Sequence, residues 1–255
     1  MPSSSLRPRH PMRPRRPDPE AQGGSPAQLP LDLPHRASLA RDDLIVTEAN
    51  DMAVAAVDRW PDWGHPVLLV VGPAGAGKSH LASAWAAMAG AVPPAPDVLD
   101  VAPFAVVIDD VDRGNWPESD IFAIVNAARL GGGTVLLTSR VRPSEMDVAL
   151  PDLRSRLKAA TIAELGAPDD ALLEGVLAKL FADRQMAVDP RLVAYAAARM
   201  ERSLDTANRF VACVDREALA RKERISRSLL ARVLRLPEFE GRVEEGDDVE
   251  CGGIE

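Results

Sequence analysis

The stretch from Pro66 to His80, PVLLVVGPAGAGKSH, decides the fold. An apolar run, PVLLVV, enters the octapeptide GPAGAGKS, and a helix-compatible segment, LASAWAAMA, leaves it. Glycines at 72, 75 and 77 let the backbone curl so that successive N–H groups point at phosphate oxygens, a path that side chains would obstruct. Lys78 supplies a point charge for the β- and γ-phosphates, and the Ser79 hydroxyl is a ligand for Mg²⁺. The following helix adds its positive end to the same anion site. The expected cradle for ATP or ADP is therefore Gly72, Pro73, Ala74, Gly75, Ala76, Gly77, Lys78 and Ser79, with His80 behind it.

A second segment completes the first. Phe104 to Asp112, FAVVIDDVD, reads as a buried strand that ends in two carboxylates, at the edge where a parallel sheet presents its ligands. Asp109 is placed to hold the metal through water and Asp110 to orient an attacking water. A third apolar run, TVLLTS, follows the glycines at 131 to 133 and brings the polar Thr138 and Ser139 toward the phosphates.

Around this nucleus the 255 residues, 46% hydrophobic, suffice for an α/β domain and a smaller companion, and an aromatic content of 4% implies an aliphatic, Ala-rich core. Cys213 and Cys251 support neither a disulfide framework nor a metal site. No apolar stretch approaches a bilayer span, and the Arg- and Pro-rich start lacks the apolar middle of a signal peptide, so a cytoplasmic location is expected. The net charge of -8 is uneven: the first 20 residues are basic, whereas Glu238 to Glu255 hold eight acids against Arg242. Both ends are expected to be solvated and without packed structure.

The pattern divides the chain into a leader (1–34), an α/β nucleotide-binding domain (35–165), a helical lid (166–236) and an acidic tail (237–255). Before the phosphate loop, the apolar Leu44 to Val46 precede a helix capped by Asn50, whose Met52, Val54, Ala55 and Val57 are expected to face inward. Asp120 to Leu130 has helical periodicity. From Asp170 onward the periodicity is helical throughout, over Asp170–Phe181, Pro190–Met200, Leu204–Ala220 and Ser226–Leu234. Strands alternating with helices, then helices alone, predict a doubly wound parallel sheet followed by a small α-helical lid. Within the leader, Gln28-Leu29-Pro30-Leu31-Asp32-Leu33 sets three leucines on alternate positions beside a glutamine, an extended peptide suited to a partner's groove. It resembles the motif by which bacterial replication proteins dock on the DNA polymerase III β sliding clamp, and that resemblance makes Gln28, Leu29, Leu31 and Leu33 the partner contacts.

From Leu33 to Leu236 the order of elements resembles the AAA+ family in its initiator clade, which holds DnaA and its shorter relative Hda, the regulatory inactivator of DnaA. The resemblance rests on quoted strings. Asp43-Leu44-Ile45-Val46 with Asn50 is similar to the segment that borders the adenine, which assigns Leu44 and Ile45 to the base. Gly72 to Ser79 corresponds to Walker A, Asp109 and Asp110 to Walker B, and Thr138 and Ser139 to sensor 1. Leu153 to Leu157, LRSRL, is similar to box VII, whose arginine reaches the nucleotide of a neighbouring subunit; that residue is Arg156, with Arg154 as the competing candidate. MERSLDTANRF is similar to the sensor 2 helix and sets Arg202 over the phosphates.

The resemblance implies a negative regulator of replication initiation that is tethered to the clamp and promotes hydrolysis of DnaA-bound ATP, its own nucleotide serving mainly as a conformational cofactor. Contact with DNA is then indirect, through the clamp. A helicase-loader-like ATPase and a nucleotide-gated adaptor share the same motifs. Three departures from the initiator pattern stand out. Lys78 and Asp109 are only 31 positions apart, with the Pro-rich AVPPAPD where a strand and a helix are expected; no basic DNA-binding module follows Arg235; and Arg140 stands where initiators tend to carry an acid.

Overall fold

Alternate residues of Val67–Val71 face opposite sides of a sheet, and that alternation sorts the core into two layers. The computed structural model describes residues 41–239; the leader with its clamp-like hexapeptide, and the tail from 240, lie outside the described residues. The elements run α1 (Asp51–Asp58), β1 (Val67–Val71), α2 (Lys78–Ala89), β2 (Phe104–Ile108), α3 (Glu118–Ala127), β3 (Gly133–Ser139), α4 (Pro151–Ala159), β4 (Thr161–Glu164), α5 (Asp170–Asp183), α6 (Pro190–Ala197), α7 (Leu204–Arg221) and α8 (Arg227–Leu234). All strands are parallel, in the order β2-β3-β1-β4.

Val67, Leu69 and Val71 join Val106, Ile108, Val135 and Leu137 on one face, under α3 and α4. Leu68, Val70, Leu136 and Ala163 meet α1 and α2 on the other, where Trp63 stacks on Trp85 at 5.2 Å between ring centroids. Burying a Leu or Val in either layer is worth about 1.5–3 kcal/mol, so the β1 run alone is a large share of the sheet's stability. The expected parallel α/β architecture is present, with β4 as an element that the sequence reading did not resolve. Of the stretch before β2, Val92 alone forms a bridge to the strand, at Val106, and a short 3-10 turn covers Pro96–Asp100.

Helices α5 to α8 enclose a second apolar core built on Leu173, Leu177, Phe181, Phe210, Val214 and Leu230. Each begins at a side-chain cap: Asp169 accepts from Leu172 N, Asp189 from Arg191 N, Ser203 from Thr206 N and Ser226 from Leu229 N. Such caps are worth about 1 kcal/mol each. Among the described residues no helix is long and apolar enough to cross a membrane.

One local expectation fails at α1. Its buried positions are Ala53, Val54 and Val57, while Met52 is 73% exposed and Ala55 also faces outward. Asn50 does not cap the helix by its side chain. Its amide oxygen accepts from Thr47 N and its amide nitrogen donates to Ile45 O, both at 2.8 Å, so it shapes the preceding turn. Ile45, whose carbonyl accepts one of these bonds, is thereby tied to the turn before α1.

Candidate functional site

At the C-terminal edge of the sheet, strand ends and loop are bonded together in a fixed order. Gly72 N donates to Ser139 O at 3.1 Å and Leu165 N donates to Val71 O at 2.7 Å. A Cβ on Gly72 would meet Leu165 O at 2.3 Å, so only glycine allows the loop to leave β1 this close to β4. Gly75 and Gly77 adopt φ of +71° and +99°, the left-handed region that bends the loop before α2. Gly75 also touches the lid: its carbonyl accepts from Leu204 N at 2.8 Å, and a Cβ there would lie 2.1 Å from Ser203 Oγ.

A cavity of about 310 Å³ opens between this loop and the lid. On the loop side it is lined by Ala74, Gly75, Gly77, Lys78, Ser79 and His80. Leu44 and Ile45 form an apolar wall with Leu172, Val176 and Leu180 of α5, and Asp110 and Arg140 border the strand side. Gly72, Pro73 and Ala76 shape the loop without lining the cavity. Lys78 is buried and folded back, its Nζ donating to Gly72 O and Pro73 O at 2.9 Å each. Burial lowers its pKa and Arg140 lowers it further, against the opposing pull of Asp110, Asp112 and Asp109.

Ser79 Oγ donates to Asp109 Oδ2 at 2.8 Å, and Thr138 Oγ1 donates to Asp109 Oδ1. Thr138 Oγ1 in turn accepts from Asp110 N at 2.8 Å. Asp110 sits at φ 50°, a left-handed conformation tolerated by Asp better than by most side chains, and this is the kind of local strain that gathers at functional sites. A hydroxyl and a carboxylate facing each other are hard oxygen donors, and Mg²⁺ is held by one or two such groups together with phosphate oxygens. Ser79 and Asp109 therefore fit that ion. Among the described residues no cluster of His, Cys, Asp and Glu forms a metal cage of its own.

Asp109 and Thr138 adjoin the cavity through their bonds to Ser79 and to each other without lining it, and three further expected site residues stand apart from it. Ser139 is fully buried and closes a turn, donating to Val141 O at 2.7 Å and accepting from Val141 N at 3.1 Å. Arg202 does not line the cavity: it pairs with Asp170 at 2.8 Å on an exposed surface. Arg156 lies on α4, with its guanidinium 5.1 Å from the Phe122 ring centroid, and lines a separate cavity of about 280 Å³ with Arg129, Asp152, Ser155 and Ala159. Its Nε is buried without a hydrogen-bond partner. Arg154, the competing candidate, is committed to its own backbone through bonds from Nε and Nη2 to Val148 O.

Residues that the sequence reading did not assign to the cavity come mostly from the lid. Lys179 donates to Asp43 Oδ1 at 2.7 Å and lies 3.5 Å from Asp183, so the acids beside it raise its pKa. Asp205 and Asn208 of α7 face the loop. Lid residues such as these recur three or four apart on helices that the periodicity already revealed, but nothing in the periodicity says which stripe meets the loop. Arg140 was visible as the residue after β3, and its place at the strand edge was the available signal.

No protein-family model matches the sequence, and comparison with curated proteins yields no match. Solved structures do match. Domain III of the Thermotoga maritima replication initiation protein DnaA is 16% identical with a TM-score of 0.67, over 79% of this chain and 98% of that one. The replication initiator DnaA bound to AMPPCP and single-stranded DNA is 16% identical with a TM-score of 0.59, over 72% of this chain and 67% of that one. The Thermotoga maritima RuvB Holliday junction branch migration motor is 18% identical with a TM-score of 0.60, over 77% and 71%. The parallel sheet with its flanking helices is thus an α/β fold shared with these DnaA and RuvB structures.

Proposed function

We propose that this chain is a nucleotide-binding regulator of replication initiation, of the Hda type, which binds ATP or ADP with Mg²⁺ and promotes hydrolysis of ATP held by DnaA. Lys78, Ser79, Asp109 and the loop amides hold the nucleotide, with Leu44 and Ile45 against the base and His80 behind the loop. Asp110 and Thr138 set the water side of the same site. The DnaA neighbour bound to AMPPCP supports a nucleotide in this fold.

The observation that carries the partner reading is the position of Arg156. It lines a different cavity from the one at the phosphate loop, and Phe122 supports its guanidinium from beneath. A planar, permanently charged group held away from the chain's own nucleotide is suited to another subunit's phosphates. Docking of Gln28, Leu29, Leu31 and Leu33 on the β sliding clamp would raise the local concentration of the module near DnaA.

The test is hydrolysis by the cognate DnaA on clamp-loaded DNA. Stimulation by the intact chain, lost on Arg156→Ala and on the combined Gln28→Ala, Leu31→Ala, Leu33→Ala change, is the expected result. Absence of stimulation by the intact chain overturns the reading and turns attention to a helicase-loader-like ATPase.

A further inference from the structure

Near the sheet edge Arg113 reaches Asp110 at 3.7 Å and Arg142 reaches Glu164 at 2.5 Å, and in the lid Arg202 reaches Asp170 at 2.8 Å. Arg140 differs from all three: it lines the phosphate-loop cavity, and its guanidinium makes no hydrogen bond or ion pair among the described residues. The backbone fixes it there. Residue 140 follows directly on Ser139, whose carbonyl accepts the Gly72 N–H at 3.1 Å, so the arginine is rooted one residue from the bond that joins β3 to the start of the loop.

The lid side of the cavity lacks an equivalent group. Helix α7 contributes Asp205 and Asn208 to the lining, and Asp205 would repel a phosphate rather than attract it. Arg209 of the same helix is turned to Thr206 Oγ1 at 3.1 Å. Lys179, the lid's cation in the lining, is engaged with Asp43 and Asp183. That leaves Lys78 on the loop side and Arg140 on the strand side as the cationic lining residues that no carboxylate engages among the described residues, with Asp110 beside Arg140. Their mutual repulsion is relieved by an anion that lies between them, and more fully by one that carries extra charge at its far end.

We propose that Arg140 reads the terminal phosphate of the nucleotide in this chain's own cavity, in the role that the order of motifs assigns to Arg202. The inference rests on the reading of the cavity as a nucleotide site. A guanidinium offers a planar fork of donors to phosphate oxygens, and a charge-assisted bond of that kind is roughly twice as strong as a neutral one. Because it grips the γ-phosphate and not the base or the α- and β-phosphates, Arg140 separates ATP from ADP. It does so from the strand edge, without requiring the lid to move.

The experiment titrates the full chain, in Mg²⁺, with N-methylanthraniloyl-ATP and N-methylanthraniloyl-ADP, and follows fluorescence anisotropy for the intact sequence, Arg140→Ala, Arg140→Lys and Arg202→Ala. The expected result is that Arg140→Ala weakens ATP about tenfold and ADP less than about twofold, that Arg140→Lys restores part of the ATP affinity, and that Arg202→Ala moves neither by more than about twofold. Unchanged melting temperatures separate these effects from unfolding, since both arginines are exposed. Equal loss of ATP and ADP, or no loss with Arg140→Ala, overturns the proposal, as does selective loss of ATP with Arg202→Ala. Should the intact chain bind neither nucleotide, it is the reading of the cavity that falls, and the proposal with it.

Discussion

Ser79 Oγ donates a 2.8 Å hydrogen bond to Asp109 Oδ2, across thirty positions of sequence, so the first residues of α2 and the end of β2 meet at one pair of oxygens. Thr138 holds the other carboxylate oxygen from β3. The start of α2 and the end of β3 thereby hold both oxygens of one carboxylate at the end of β2, and this rigidity is what a small cation with strict geometry needs.

Asp109→Asn keeps the shape and removes the charge. ATP affinity measured by calorimetry in Mg²⁺ is expected to fall about tenfold, while the affinity in EDTA stays the same, because a charge-assisted metal contact is what is lost. An equal fall in EDTA would mean that Asp109 only holds the loop in place.

The loop and the lid meet at Gly75. An alanine there would carry a left-handed φ and put its Cβ 2.1 Å from Ser203 Oγ. Gly75→Ala is expected to destabilise the chain by about 1–3 kcal/mol in urea denaturation. Ser203→Ala alone costs about 1 kcal/mol through the lost cap on Thr206 N. In the double variant part of the clash disappears with the hydroxyl, so the two costs add to less than their sum. Full additivity would show that the loop and lid do not press on each other at this point.

Much of this was legible because it is local. The phosphate loop needs only a strand, three glycines and a helix in succession, and each carries its own signal at Val67–Val71, Gly72–Gly77 and Lys78–Ala89. What was not legible depends on partners far away. TIAE, the whole of β4, is four residues with Ala163 alone buried, and it becomes a strand by pairing with Leu68 to Val71. Arg202 has the motif's position, in the turn before α7, yet it pairs with Asp170 at the start of α5 and does not line the cavity. Met52 falls on the outer face because the buried stripe of α1 is Ala53, Val54 and Val57, and Asn50 spends its hydrogen bonds on the turn before the helix instead of capping it.

His80 supplies a dependence on pH. Its Nε2 is buried without a partner, and burial lowers its pKa, with Lys179 lowering it further and Asp43 opposing. The native state therefore holds His80 neutral where an unfolded histidine, with a pKa of about 6.5, takes up a proton. The unfolded chain binds more protons there, so this group's contribution is complete above about pH 6.5 and declines as pH falls from that value toward the lowered native one. Urea denaturation at pH 7.5 and 5.5 is expected to show a larger loss for the intact chain than for His80→Gln. Equal losses would assign the acid sensitivity to other groups.

The Arg156–Phe122 contact yields the prediction that bears most directly on the partner. A guanidinium over an aromatic face gains about 0.5–2 kcal/mol, which is enough to hold one rotamer without locking it. Phe122→Leu preserves the apolar contact with the core but removes the ring's electron-rich face from beneath the guanidinium, which sits 5.1 Å from its centroid. Stimulation of ATP hydrolysis by DnaA is expected to drop about fivefold, and Arg156→Lys, which also loses the planar fork, to abolish it. Nucleotide binding to the chain itself is expected to stay unchanged in both variants, because neither residue lines the phosphate-loop cavity. If Phe122→Leu leaves stimulation intact while Arg156→Lys removes it, the ring serves packing alone; if both leave it intact, the arginine that reaches DnaA is a different one.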